Sequence, residues 1–364
     1  MTSYKGTLSV ALACAGLMLA GPASGQDVPD GYPDDYAEII EASKEEGSLL
    51  IYSNVSAINW SPFLELVAET YPWLTVETTD DNNMWEKYYA EESSGVRTAD
   101  MVLASHPDQW LGFIERDQVD PYVTPELDIL PDWSMPAPGV YSASADPYIM
   151  AHAKAFFPDG DAPWSVRETV AMLEERTDLA GKVTVMDPIG NLAGYAIWKA
   201  WLEATPDGWE LIEEMGHDIR PERSAGTVRE KLYTGEYAVA VYSSGGGIPR
   251  YEEPEGQMLT EWGFATDGTP MLTRNVAVTA AASSPNSARL VLDLILSKEG
   301  SIAFASGGLT PYREDISADE VPYTTYSQIV EEVGEDNILF ISPDPSILEG
   351  MDEFAARWNA ALGN

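Results

Sequence analysis

Ala42-Ser43-Lys44-Glu45-Glu46-Gly47-Ser48-Leu49-Leu50-Ile51-Tyr52-Ser53-Asn54-Val55-Ser56 contains the end of a helix, a tight turn, a strand and a polar loop. Tyr36, Ile39, Ile40 and Ala42 fall on or near one face of a helix running from Tyr36 to Glu46, and Gly47 supplies the stop. Leu49 to Tyr52 is an unbroken apolar run, the signature of a strand buried on both faces. Ser53 to Ser56 is then the loop at the carboxyl end of that strand.

The same alternation continues downstream. Ser61-Pro62 opens a helix with Phe63, Leu64, Leu66 and Val67 as its apolar face, and a strand follows at Leu74 to Thr78. A helix over Asn82 to Glu92 and a strand over Ala99 to Leu103 complete a β-α-β-α-β order, which builds a parallel sheet. Ligands of such sheets bind outside the carboxyl ends of the strands. That rule singles out Ser53, Asn54, Ser56, Ser105 and His106 as candidate contacts, with Asn83 and Trp85 at the next helix start.

Asp146 to Ala151 reads as an extended crossover into a second α/β lobe, with Asp146 and Tyr148 at the hinge. In that lobe Lys182 to Met186 is a strand ending in the turn Asp187-Pro188-Ile189-Gly190-Asn191. Gly190 and Asn191 lie at a helix start, where unpaired backbone N–H groups favour anions. Tyr237 to Tyr242 is a strand running into Ser243-Ser244 and three glycines, a candidate backbone nest. A strand over Asn275 to Ala281 crosses back, preceded by Arg274, and the chain from Ser327 onward reads as largely helical and packed across the first lobe. Arg274 and Arg313 are candidate clamps for an oxyanion. The expected division is residues 1–25 as a signal peptide, 26–147 with 275–364 as lobe 1, and 148–274 as lobe 2.

Lys5 followed by the apolar run Leu8 to Ala20 and the small residues Ala23 and Gly25 has the form of a secretory signal, which places the mature chain in the periplasm, beginning at Gln26. The single cysteine, Cys14, lies within that segment; it raises a lipidation site, though Ala11-Leu12-Ala13 fits one poorly. The 60 acidic residues against 20 basic ones give a net charge of −40, which excludes nucleic acid as a partner and predicts a strongly solvated surface. The three histidines, His106, His152 and His217, form no metal-binding spacing, and no Gly-x-Ser-x-Gly elbow occurs, so the sequence shows no enzyme signature and no cofactor site.

Several blocks, in order, resemble the solute-binding proteins of ABC importers in the branch containing ferric-iron, thiamine, phosphonate and sugar-phosphate binders. They are Ala42 to Ser53, Phe63 to Glu77, Thr98 to Val102, Asp187-Pro188 with the glycines after it, Gly235 to Ala240, Arg274 to Gly300 and Gly308 to Arg313. The resemblance implies a two-lobed type II periplasmic-binding-protein fold, a ligand held between the lobes and a membrane permease as partner. Ferric binders of that branch use an adjacent tyrosine pair, whereas Tyr242 is followed here by Ser243, so the expected ligand is a small polar organic molecule carrying an anionic group. Ferric iron, with Tyr242 as a ligand, is the alternative, and a subunit feeding a sensor is another.

Overall fold

The computed structural model describes residues 28–81 and 83–363; the signal segment with Cys14, the expected new terminus Gln26, and Asn82 lie outside the described residues. The strands are β1 (Ser48–Ser53), β2 (Thr75–Thr78), β3 (Met101–Ala104), β4 (Tyr141–Ala153), β5 (Val183–Met186), β6 (Ile219–Glu222), β7 (Val239–Ser244), β8 (Thr260–Gly263), β9 (Thr269–Val278) and β10 (Ile338–Ile341). Helix α1 (Tyr36–Glu46) precedes β1; α2 (Ala57–Thr70), α3 (Met84–Ser93) and α4 (Pro107–Glu115) follow the first strands, and α5 (Val166–Glu175), α6 (Leu192–Ala204), α7 (Gly208–Met215) and α8 (Ala225–Tyr233) the middle ones. Short α9 (Ile248–Tyr251) and α10 (Pro254–Leu259) lead to β8; α11 (Pro285–Leu296), α12 (Lys298–Ser306), α13 (Tyr326–Val333) and α14 (Met351–Ala361) complete the chain. No helix among the described residues is long and apolar enough to cross a membrane.

Strand order is β2-β1-β3-β9-β4-β7-β5-β6, with β10 added to β9 and β8 to β4. The parallel β1–β2 and β1–β3 pairs form the first half, and parallel β5–β6 and β5–β7 pairs the second. The long strand β4 joins them. Its Tyr141–Pro147 portion pairs with β9, and from Tyr148 it pairs with β7 and β8. The result is the two-lobed α/β fold of type II periplasmic binding proteins.

Gly47 shows why the opening stretch folds as it does. It ends α1 at φ 66°, the left-handed region that glycine enters without a Cβ penalty, and its N–H closes on the Ser43 carbonyl. The continuous apolar run of β1 is sandwiched as its sequence demands. On one side lie Trp60, Phe63 and Phe304, the last two stacked at 4.4 Å; on the other lie Trp85, Trp110 and Phe113. Gly308, at φ 94°, sits where a Cβ would collide with the Pro249 ring, so a glycine there lets the loop after α12 touch the start of α9.

The C-terminal segment departs from the sequence expectation. Ile338 to Ile341 form β10 rather than helix, consistent with a short apolar run of β-branched and aromatic residues. The helix beyond it, α14, packs on the second lobe rather than across the first. Phe354, Trp358 and Ala361 line one face at helical spacing, and Trp358 lies 5.2 Å from Trp198 of α6.

His152 of β4 is buried, packed edge-on against Trp164 at 4.5 Å, and burial pushes its pKa down to about 4. The unfolded chain, with an ordinary histidine near 6.5, binds more protons than the folded chain between those values. This group's contribution is therefore present above pH 6.5 and lost as pH falls toward 4, by roughly 3 kcal/mol in all. Urea unfolding of His152→Leu is expected to lose less stability than the wild type between pH 7 and 4; parallel losses in the two proteins would refute it.

Candidate functional site

A cavity of about 520 Å³ opens between the lobes. From the first lobe come the loop after β1 and the first turn of α2, with Asn54, Ser56 and Asn59. From the second come the start of α8, with Ser224, Ala225, Gly226 and Arg229, and the segment after β7, with Ser244, Gly246, Gly247 and Arg250. Arg274 of β9 stands at the crossover. Each of α2 and α8 thus presents an N-terminal turn, where unpaired N–H groups and the helix dipole favour negative charge.

The electrostatic contrast with the rest of the chain is the main feature of this site. Among the described residues three arginines line the cavity and no aspartate or glutamate does, in a chain with 60 acidic residues. The three are not equally free. Arg274 gives Nε and Nη2 to Asp146 Oδ2 at 3.0 and 2.9 Å, and both side chains are almost fully buried. Arg250 pairs with half-exposed Glu253. Arg229 has no carboxylate partner among the described residues, and its Nη1 lies 3.8 Å from the Cβ position of Gly247.

Of the residues that the sequence singled out, Asn54, Ser56, Ser244 and Arg274 line the cavity. Ser105 and His106 lie directly behind Asn54, whose Nδ2 is 3.3 Å from Ser105 Oγ and 3.5 Å from His106 Nε2. Asp146 acts through Arg274 and also accepts from the Thr310 N–H at 2.9 Å. Tyr148 is buried beside it on β4, in register with Ser244.

The others do not reach the cavity. Ser53 is buried and its Oγ accepts from Val55 N–H and Trp60 Nε1–H at 2.9 and 3.2 Å. Asn83 is exposed and folds its own amide onto Asp81. Trp85 is packed 5.3 Å from both Trp110 and Phe113. Asn191 caps α6, accepting from Ala193 N–H at 2.9 Å, and Gly190 lies against the Arg223 side chain. Ser243 is buried, 3.5 Å from the Tyr251 hydroxyl. Arg313 is also structural, bound to Glu126, Asp315 and the Leu296 carbonyl.

Tyr242 is the sharpest correction. It adopts φ 61° beside an irregularity in the β4–β7 pairing, and this turns its ring into the second core, 5.2 Å from Trp198. Its hydroxyl donates to the Gly268 carbonyl at 3.0 Å, and burial raises its pKa well above that of a free phenol. A phenol so placed is a poor metal ligand, because ligation needs the phenolate at the cavity.

Sequence reasoning missed Asn59, Ser224, Arg229 and Arg250. A usable signal existed: Arg229 and Arg250 each follow a Ser- and Gly-containing turn at the carboxyl end of a strand, three residues beyond Gly226 and Gly247. A separate concavity of about 320 Å³ between α6, α7 and α14 is lined by Tyr195, Trp209 and Phe354; there Arg357 lies over Trp209 at 4.5 Å, so the chain's own cation occupies that aromatic face.

The fold is that of the substrate-binding proteins of ABC transporters. The substrate-binding protein of an ABC transporter from Agrobacterium tumefaciens superimposes with a TM-score of 0.76 at 18% identity, over 86% of this chain and 94% of that one. Iron-bound HitA from Pseudomonas aeruginosa gives 0.65 at 12% identity over 86% and 99%, and AfuA from Actinobacillus pleuropneumoniae, with fructose-6-phosphate bound, gives 0.64 at 16% over 87% and 98%. No family model and no curated protein sequence matches the chain.

Proposed function

We propose that this chain is the periplasmic solute-binding subunit of an ABC importer and closes its lobes on a small polar anion. The observation that carries the anion reading is the cavity lined, among the described residues, by three arginines and no carboxylate. The fold supports the transport reading, since its structural neighbours are substrate-binding proteins of ABC transporters. Closure follows from the geometry proposed for the hinge. The lobes divide at 147/148 and 274/275, as the sequence suggests, except that α14 moves with the second lobe. A ligand in this cavity touches α2 of one lobe and Arg229 of the other together, so binding favours the closed population. The docking partner is the membrane permease.

Ferric iron is the weaker reading. Among the described residues the cavity lining contains no tyrosine, histidine, aspartate or glutamate. Thermal shift of the purified chain distinguishes the two, with inorganic phosphate, glycerol 3-phosphate, methylphosphonate, citrate, thiamine and ferric iron as the panel. An anion at about 100 times its Kd adds about 2.7 kcal/mol of stability. A shift with one or more anions is expected. A shift with ferric iron or thiamine alone would overturn the anion reading.

A further inference from the structure

Behind the cavity wall, four side chains from three segments form one polar chain. Trp85 of α3 places its Nε1 3.3 Å from His106 Nδ1. His106, which precedes α4, places its Nε2 3.5 Å from the Asn54 amide, and Ser105 Oγ lies 3.3 Å from the same amide nitrogen. Asn54 borders the cavity. The Asn54 Oδ1 is buried without a hydrogen-bond partner among the described residues.

The chemistry of these groups leaves one consistent assignment. An indole nitrogen can only donate. His106 Nδ1 must therefore accept, and in a neutral ring the proton then sits on Nε2. An Nε2–H pointing at an amide NH2 is a clash of two donors. Amide oxygen and nitrogen are interchanged at no steric cost. Turning the Asn54 amide over lets its oxygen accept from both His106 Nε2–H and Ser105 O–H, and moves the NH2 to the position that has no protein partner.

We infer that Trp85 and His106 are positioning residues that fix the Asn54 amide as a hydrogen-bond donor to the anion. This rests on the proposed reading of the cavity as an anion site. Every donor in the chain then points the same way, from indole to imidazole to amide to ligand. That NH2 position has no protein acceptor among the described residues, and Asn54 borders the cavity, so the acceptor it lacks arrives with the ligand; left unpaired, a buried donor is costly. A ligand without an oxygen at that point forfeits the compensation, which makes Asn54 a specificity-determining residue.

The neutral ring is the form the surroundings favour. Burial lowers the His106 pKa, and Arg274 on β9 acts in the same direction; Asp108 on α4 and Glu86 on α3 oppose them. Protonation would put a hydrogen on Nδ1 against the Trp85 N–H and break the chain.

The test is the histidine tautomer, read by nitrogen NMR on the full chain with labelled histidine; His106→Phe assigns the resonance among the three histidines. A protonated Nε2 and an acceptor-type Nδ1 are expected. A proton on Nδ1, or a mixture of tautomers, would overturn the inference. Trp85→Phe keeps the packing and removes the donor, and is expected to give a mixture; a pure Nε2–H form in that variant would show that Trp85 does not set the tautomer. Asn54→Asp retains an acceptor for His106 and Ser105 but puts an oxygen where the NH2 would be. It should keep the tautomer and lose the thermal shift given by the anions of the panel, and a retained shift overturns the donor role. If the wild type responds to no anion, the proposed function fails and with it the donor role of Asn54, while the tautomer still decides the relay.

Discussion

Asp146→Ala should lower the stability of the chain by about 3–5 kcal/mol, the usual cost of removing one partner from a buried ion pair. The carboxylate is 4% exposed and sits where β4 leaves one lobe for the other. It satisfies two nitrogens of Arg274, the Thr310 N–H and the Ser144 hydroxyl. Alanine would strand a nearly buried guanidinium together with a buried backbone donor. Urea unfolding measures the loss. A double variant separates charge from packing: Asp146→Leu combined with Arg274→Met removes both charges and should recover most of the stability. A single variant that loses less than about 1 kcal/mol, the level of an exposed pair, would show that the crossover does not depend on this contact.

Arg229→Ala combined with Arg250→Ala should weaken anion binding on the order of 100-fold or more. Each charged hydrogen bond contributes about 1.5–3 kcal/mol, and every 1.4 kcal/mol is tenfold in affinity. The Arg229 single variant should show the greater loss, because Arg250 already shares its charge with Glu253. Lysine at either position should restore only part of the affinity, since it keeps the charge but cannot grip an oxyanion through two parallel N–H groups. Titration calorimetry with the anion that shifts the wild type is the measurement. Unchanged affinity in the double variant would remove the cavity from consideration as the binding site.

Where local pattern decides structure, the sequence was legible. The helix from Tyr36 to Glu46 and the strand after it stand where periodicity and Gly47 put them. So does the loop that brings Asn54 and Ser56 to the cavity, because the carboxyl end of a parallel strand is a position in the fold as well as in the chain. Side-chain direction was not legible. Tyr242 and Ser244 are two residues apart on one strand, yet the first enters a core and the second borders the cavity. A single left-handed residue beside a pairing irregularity decides this, and neither leaves a mark in composition. Trp85 and Arg313 were ambiguous for a similar reason: burial or exposure of such residues depends on partners far away in the chain, such as Trp110 for the one and Glu126 for the other.

The carboxylate-free cavity also has a kinetic consequence. A chain carrying −40 surrounds itself with a field that repels the anions its arginines would hold. That field extends about 10 Å from the surface at 0.1 M salt but only about 3 Å at 1 M, whereas contacts inside a cavity are screened far less. For the proposed anionic ligand, dissolved salt should therefore lower the barrier to entry more than it loosens the hold, and capture is expected to quicken as the medium becomes more saline. Most proteins that steer a charged ligand lose speed in brine; an anion would approach this chain most freely where the water is saltiest.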